Sequence, residues 1–143
     1  MKHSILAVLL ILGSVFAFAA QQESIDAMKQ RVDQAAAADQ VRLCLHIAQT
    51  QLQHMGDYYK TGDTENARRA LGDVVTYGVR AANTSAQSGK HQKDTEIAVR
   101  KISFRLNDMA RDADFDERPA IKAAIAKVDK AHDDLLASMF KKK

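Results

Sequence analysis

The apolar positions of this chain follow one another at alternating steps of four and three residues over two long stretches. Residues at these spacings lie along one side of an α-helix and form the seam that is typical of helical bundles and coiled coils. The pattern therefore predicts two long amphipathic helices, with Ile97, Ala98 and Phe104 widening the seam of the second. The first seam consists of Val41, Leu45, Ala48, Leu52, Met55 and Tyr59, and the second of Thr95, Val99, Ile102, Leu106, Met109 and Ala113.

Three further stretches carry a stripe at helical spacing, which predicts a short N-terminal helix and two more long ones. The short helix, near residues 24–38, has Ile25, Met28, Val32 and Ala35 on its stripe. The stripe after residue 63 is made mostly of small residues, namely Ala67, Ala70, Leu71, Val74, Gly78, Ala81 and Ser85. The last helix, from Pro119 to about Met139, carries Ile121, Ile125, Val128, His132, Leu135 and Met139.

The connections between the predicted helices are short and contain turn-forming residues. Gly62 can adopt the left-handed conformation that closes a helix C-terminus, and Asp63 or Thr64 then caps the next helix. A second turn is expected at residues 88–90, and Asp116 is expected to cap the last helix. Because short connections join antiparallel neighbours, the sequence predicts an all-α fold, an antiparallel helical bundle of four main helices plus a short N-terminal helix.

The first twenty residues have the layout of a secretory signal peptide. Lys2 precedes an apolar run over residues 5–12, and Ala17 and Ala19 provide the small residues required before a cleavage site. The alternative is a retained membrane anchor, since the apolar stretch approaches the lower end of spanning length. We expect cleavage, so that residues 1–19 form the signal peptide, residues 20–143 form one helical-bundle domain, and the protein is exported to the periplasm or the extracellular space.

Composition and charge narrow the possible functions. The 143 residues include 21 lysines and arginines and 18 acidic residues, and removing residues 1–19 leaves 20 basic against 18 acidic side chains, a formal charge of +2. A net charge this close to zero is not typical of a nucleic-acid-binding protein. The chain also lacks a nucleophile elbow, a phosphate-binding glycine loop and a zinc-protease helix. We therefore expect neither a nucleic-acid partner nor enzymatic activity.

The segment that precedes the last helix is acidic, with four acids within residues 112–117. Alternating aspartates are typical of an EF-hand calcium loop, but Glu117 stands where that loop needs glycine and Ala123 where it needs glutamate. Negative charge is favourable beside the free backbone amides at a helix N-terminus, which explains the acids without a metal. His46 and His54 lie eight residues apart, too far to bind one ion without a further element. No metal site is expected.

The single cysteine, Cys44, has no partner for an internal disulfide. It lies inside a helical pattern between two leucines, and unpaired cysteine is among the most buried residue types. A small buried residue is the favoured interpretation, and a disulfide between two copies or a reactive free thiol is the alternative.

His132 is the strongly polar residue on the stripe of the last helix, which raises the question of a cofactor. Four-helix cytochromes of the b562 type pair a methionine near the mature N-terminus with a histidine in the last helix, and Met28 and His132 occupy comparable places. Haem b bound by these two residues is therefore an alternative. The simpler interpretation is a histidine at the edge of the core, with one nitrogen hydrogen-bonded and the other toward water, and we expect no cofactor.

One part of the chain resembles a tetratricopeptide-type hairpin. The resemblance rests on Tyr58, Gly62-Asp63, Ala67, Leu71 and Val74, over about 34 residues. In that family, arrays of hairpins form a concave surface that binds peptide segments. No second copy occurs at the same period, and stacked repeats need about three units for stability, so we expect the hairpin to be part of a closed bundle instead.

The mature chain also resembles a group of small exported bacterial proteins of unassigned function. The likeness lies in a "GD…A…L…VV…A" helix, a "TEIA.RK…RL.D" helix and an "RP.I..AI…….LL..MF" end, which are residues 62–82, 95–108 and 118–140 here. This resemblance implies an all-helical fold and an exported location.

Together these observations predict a non-enzymatic exported protein that acts as a binding or scaffold module, through a hairpin groove or by self-association. The outer face of the predicted helix over residues 95–113 is rich in cations, which indicates either a basic binding stripe or, because acids are interleaved, a solvated face. The C-terminal lysines can contact anionic lipid or complement the helix dipole. The cations of the face are Lys93, Arg100, Lys101, Arg105 and Arg111, and the terminal ones Lys141, Lys142 and Lys143.

Overall fold

The structure, a computed structural model, describes residues 23–141, which contain five α-helices and no β-strand. The helices are α1 (Ile25–Val32), α2 (Ala37–Thr61), α3 (Thr64–Ser88), α4 (Gln92–Asp112) and α5 (Arg118–Phe140). The prediction of an all-α bundle of four main helices with a short N-terminal one is confirmed. The predicted signal peptide, as well as Lys142 and Lys143, lies outside the described residues.

The turn between α2 and α3 has the local chemistry that the sequence predicts. Gly62 adopts a left-handed conformation with φ of 76°, and its N–H donates to the Tyr59 carbonyl at 3.3 Å. The N–H of Asp63 donates to the Tyr58 carbonyl at 2.9 Å, so the free carbonyls at the end of α2 are satisfied. The Asp63 carboxylate in turn accepts from the N–H of Asn66 at 3.2 Å and caps α3.

Cross-helix hydrogen bonds fix α2 antiparallel to α3. Gln51 donates to Asp73 at 2.6 Å, and eleven residues further toward the start of α2, Gln40 accepts from Thr84 at 3.0 Å. Later residues of α3 therefore contact earlier residues of α2, as in an antiparallel pair. The same holds for α4 and α5, where Ser103 donates to Asp129 and Gln92 to Ser138.

The two hairpins stack side by side, so that corresponding helices run parallel. Arg68, near the start of α3, pairs with Glu117, immediately before α5. At the other end of this contact Asn83 and Asp134 line a common groove, which places α3 and α5 in parallel. Helix α3 contacts all the other long helices, and α2 contacts α4 but not α5.

The interior consists of two packed clusters. The main cluster joins the four long helices and contains, among others, Leu52, Val74, Ile102, Leu106, Ile121 and Leu135. The smaller cluster lies under α1 and contains Met28, Val32, Cys44, Ile47 and Ala81. All seven positions predicted for the α3 stripe are buried, which confirms that prediction. A Cβ atom added at Gly78 would lie 4.0 Å from both Ala48 and Ile102, so this position of α3 faces α2 and α4.

Three local predictions are wrong. The short helix does not extend over residues 24–38: α1 ends at Val32, so Ala35 lies outside it, and α2 begins at Ala37. Phe104 does not widen the seam of α4, because its side chain is 64% exposed. Asp116 does not cap α5: Glu117 occupies the capping position, and its carboxylate binds Arg68 instead of a backbone amide. Among the residues that the structure describes, no helix is both long and apolar enough to cross a membrane.

Candidate functional site

A groove runs between α2 and α4. It consists of two adjoining cavities of about 250 and 330 Å³, which share Gly56, Lys60 and Arg105 in their walls. The first cavity is also lined by Tyr59, Met109, Asp112, Ala113 and Asp114, and the second by Gln49, Leu52, Gln53 and Asp57. The groove therefore follows α2 from residue 49 to residue 60, about 16 Å at the rise of an α-helix.

Gly56 explains how closely the two helices approach. A Cβ atom at this position would lie 3.2 Å from the terminal methyl of Met109 and 3.9 Å from a guanidinium nitrogen of Arg105. A glycine inside a helix costs about 1 kcal/mol relative to alanine, and here the missing side chain makes room for the side chain of Met109. The lining of the groove is mixed: the apolar side chains of Leu52 and Met109 stand beside polar and charged ones.

The groove carries charges that the fold does not use. Within residues 23–141, neither Lys60 nor Arg105 forms an ion pair, whereas Arg100 and Arg111 on the same α4 do. The three aspartates that line the groove, at positions 57, 112 and 114, also form no ion pair in this range. Because charges of both signs stand beside apolar side chains in the lining, the groove can contact a ligand with charged groups and apolar ones.

An ion pair between the exposed Arg68 and the buried Glu117 carboxylate lies beyond the Tyr59 end of the groove. Arg68 donates two hydrogen bonds to the Glu117 carboxylate, at 3.0 Å from Nε and 2.5 Å from Nη2, and the Glu117 side chain is only 5% exposed. These bonds hold the pKa of Glu117 below its usual value. The nearby Tyr59 hydroxyl is buried and makes no hydrogen bond of normal geometry. Burial, and secondly the charge of Glu117, raise the pKa of Tyr59, so the phenol stays protonated.

The structure does not bring Met28 and His132 together. Met28 is buried in the small cluster under α1. His132 lies on α5, where its Nε2 is 2.9 Å from the Glu96 carboxylate of α4. Glu96 is also 3.4 Å from Arg100, so the ring belongs to a polar network between α4 and α5. No observation favours haem, and the haem alternative stays a prediction.

The other histidines lie apart from one another. His46 and His54 are exposed on α2, and His54 is 3.0 Å from the side-chain oxygen of Gln51. His91 precedes α4 in a left-handed conformation with φ of 56°. In the part of the chain that the structure describes, no three histidine, cysteine or acidic side chains are grouped as a metal site requires.

Cys44 is fully buried under α1, and burial raises its pKa to about 11. Since the thiolate is the reactive form, we expect Cys44 to resist a maleimide or aromatic disulfide reagent in the native protein and to react fully after unfolding in urea. The rate of thiol modification with and without denaturant is the measurement. Rapid stoichiometric labelling of the native protein would contradict the buried position.

Sequence reasoning missed most of the groove. Arg68 and Glu117 are separated by 49 positions, and no local pattern pairs them. Gly56 did offer a signal, because a glycine inside a long helix is unfavourable and therefore indicates a close contact. Gly72 lies inside α3 in the same way but has open space around it, so a glycine inside a helix is not by itself a reliable sign of a contact.

The chain was compared with protein-family models, curated proteins and solved structures. No family model, curated protein or solved structure matches the chain. The two resemblances noted in the sequence therefore remain predictions. The structure establishes the fold, an all-helical bundle.

Proposed function

We propose that the protein is a non-enzymatic binding module that holds a segment of a protein partner in the groove between α2 and α4. The observation that carries this proposal is the groove itself, in which Lys60 and Arg105 stand beside apolar side chains such as Met109 without an ion-pair partner in the described chain. A partner that supplies carboxylates beside apolar side chains would satisfy both features.

The size and lining of the groove favour a polypeptide segment. A length of about 16 Å accommodates about five residues of extended chain. Gln49 and Gln53 expose amide groups that can donate to and accept from a peptide backbone.

Site-specific photo-crosslinking in cells tests the groove. A photoreactive residue at Gln53 is expected to give an adduct with a protein partner, whereas the same residue at Ala126, exposed on the outer side of α5, gives none. Replacing Lys60 and Arg105 by alanine is expected to reduce the Gln53 adduct strongly, because both free cations are lost.

The matched control replaces two cations of α5, Lys122 and Lys127, by alanine and leaves the Gln53 adduct unchanged. Equal adducts from Gln53 and Ala126, no adduct at Gln53, or a Gln53 adduct that is insensitive to Lys60 and Arg105, would contradict the proposal. Mass spectrometry of the adduct identifies the partner.

The proposed place of action is outside the cytoplasm. This rests on the signal-peptide pattern of residues 1–19. The intact mass of the protein recovered from cell fractions tests it: a chain that begins at Ala20 in the exported fraction is expected, and a full-length chain retained in the cytoplasm would contradict export.

A further inference from the structure

Among residues 23–141, the exposed aromatic side chains are concentrated in one hairpin. Three large apolar side chains are exposed in residues 23–141, and all are phenylalanines of the α4–α5 hairpin: Phe104 at 64%, Phe115 at 83% and Phe140 at 77%. Single exposed apolar residues are common on protein surfaces. The charges around Phe104 and Phe115, however, differ in sign.

Phe104 lies in the middle of α4 among cations. Arg100 and Lys101 precede it by one helical turn, are exposed, and so share its side of the helix. Lys101 forms no ion pair in the described chain, and Arg100 lies 3.4 Å from Glu96. We call Arg100, Lys101 and Phe104 the basic face.

Phe115 lies in the connection between α4 and α5 among anions. Asp112, Asp114 and Asp116 surround it in sequence, and all four side chains are exposed. None of these three aspartates forms an ion pair within residues 23–141. We call Asp112, Asp114, Phe115 and Asp116 the acidic turn.

The basic face and the acidic turn are complementary but cannot meet within one chain. Phe104 and Asp112 are eight residues apart on α4, which is about 12 Å along a rigid helix. Two copies related by a two-fold axis across α4 could bring the basic face of each onto the acidic turn of the other, because such an interface uses the same pair of surfaces twice.

We propose that the protein forms a two-fold symmetric dimer in which the basic face of each copy docks on the acidic turn of the other. Arg100 and Lys101 would pair with the aspartates, and Phe104 would pack against Phe115, an aromatic contact that removes both rings from water. Charge complementarity favours a second copy over an anionic lipid surface, because lipid offers no counterpart for the acidic turn.

The dimer and the proposed groove use different cations. The basic face does not include Lys60 or Arg105, which line the centre of the groove with Gly56. Asp112 and Asp114 line one end of the groove as well, so a dimer would narrow that end. The test below measures molar mass of the protein alone, and its outcome does not depend on any partner.

Charge reversal on each surface, followed by mixing, tests the dimer. One variant carries Arg100→Glu with Lys101→Glu, and the other carries Asp114→Lys with Asp116→Lys. Sedimentation equilibrium at low salt is expected to show a dimer for the unaltered chain and about tenfold or greater weakening for each variant. An equimolar mixture of the variants is expected to restore a dimer that contains one copy of each.

A matched control carries Arg42→Glu with Lys127→Glu, which changes the net charge as much as the first variant does but on exposed positions of α2 and α5. It is expected to dimerise like the unaltered chain. The dimer is also expected to weaken as salt rises to about 0.5 M, where charges more than a few ångströms apart are screened.

Three results would overturn the proposal. The first is an unaltered chain that stays monomeric at millimolar concentration. The second is a dimer that persists in both charge-reversed variants, which would place the interface elsewhere. The third is a mixture of the two variants that remains monomeric although circular dichroism shows both to be folded.

Discussion

Replacing Leu106 by alanine is expected to lower the free energy of unfolding by about 2–5 kcal/mol. Leu106 is fully buried on α4 in the main cluster, where it packs with residues of the other long helices. Its truncation removes apolar contacts and leaves a cavity that the rigid surroundings fill only in part. Urea unfolding followed by circular dichroism measures the change.

Phe104→Ala is the matched control, because Phe104 lies two residues away on the same helix and is 64% exposed. Its truncation is expected to change the free energy of unfolding by less than about 0.5 kcal/mol. Both variants are compared in high salt, where the proposed dimer is dissociated. Equal losses for the two variants, or a loss below about 0.5 kcal/mol for Leu106→Ala, would contradict the burial of this seam.

The contrast between these two residues shows what the apolar periodicity can predict about burial. Two residues along an α-helix correspond to a rotation of about 200°, so Leu106 and Phe104 point to opposite sides. The alternating steps of four and three locate the centre of the seam and thereby predict Leu106 correctly. These steps do not give the width of the seam, which depends on the neighbouring helices. Phe104 was therefore wrongly predicted to lie in the seam.

Local chemistry was predictable where a single residue could fill a role. Only glycine adopts the left-handed conformation at position 62 without steric cost, and the adjacent Asp63 is a strong cap. At the start of α5 the choice was open, because consecutive acids suit a helix N-terminus equally well. Glu117 is distinguished by Arg68, a residue of α3, and such long-range pairing leaves no trace in the local pattern.

The groove was predictable only in general terms. The short connections identify the two hairpins, but they do not determine how one hairpin stacks on the other. The groove depends on α2 and α4 being parallel neighbours, and on Gly56 admitting Met109. For the same reason the free charges of Lys60 and Arg105 become visible only after the helices are placed.

The second large effect is expected at the ion pair between Arg68 of α3 and Glu117 at the start of α5. Arg68→Met removes two hydrogen-bond donors from the Glu117 carboxylate, which is 5% exposed, and leaves only the Tyr59 hydroxyl beside it. The free energy of unfolding at neutral pH is expected to fall, because a carboxylate shielded from water loses its cation. The loss is moderated because the Arg68 side chain is 59% exposed, so that water screens the pair.

The pH dependence of this loss has a definite sign. The pKa of Glu117 in the folded protein is lower than its ordinary value of 4.5, because Arg68 favours the ionised carboxylate. The pair therefore stabilises the fold fully above the ordinary pKa, and this contribution disappears as the pH falls through the lowered pKa of Glu117. In Arg68→Met the penalty is expected to shrink in acid, since protonation removes the unpaired charge.

A double-mutant cycle isolates the interaction. Urea unfolding of the unaltered chain, Arg68→Met, Glu117→Gln and the double variant is expected to give a positive coupling energy at neutral pH that vanishes well below the ordinary pKa of glutamate. Arg69→Met is the matched control, since Arg69 is the next residue of α3 and pairs with the exposed Glu65 one turn away, and its expected effect is much smaller. A coupling energy that stays constant into acid would mean that packing of the Arg68 side chain, and not the charge of Glu117, holds α3 against the start of α5.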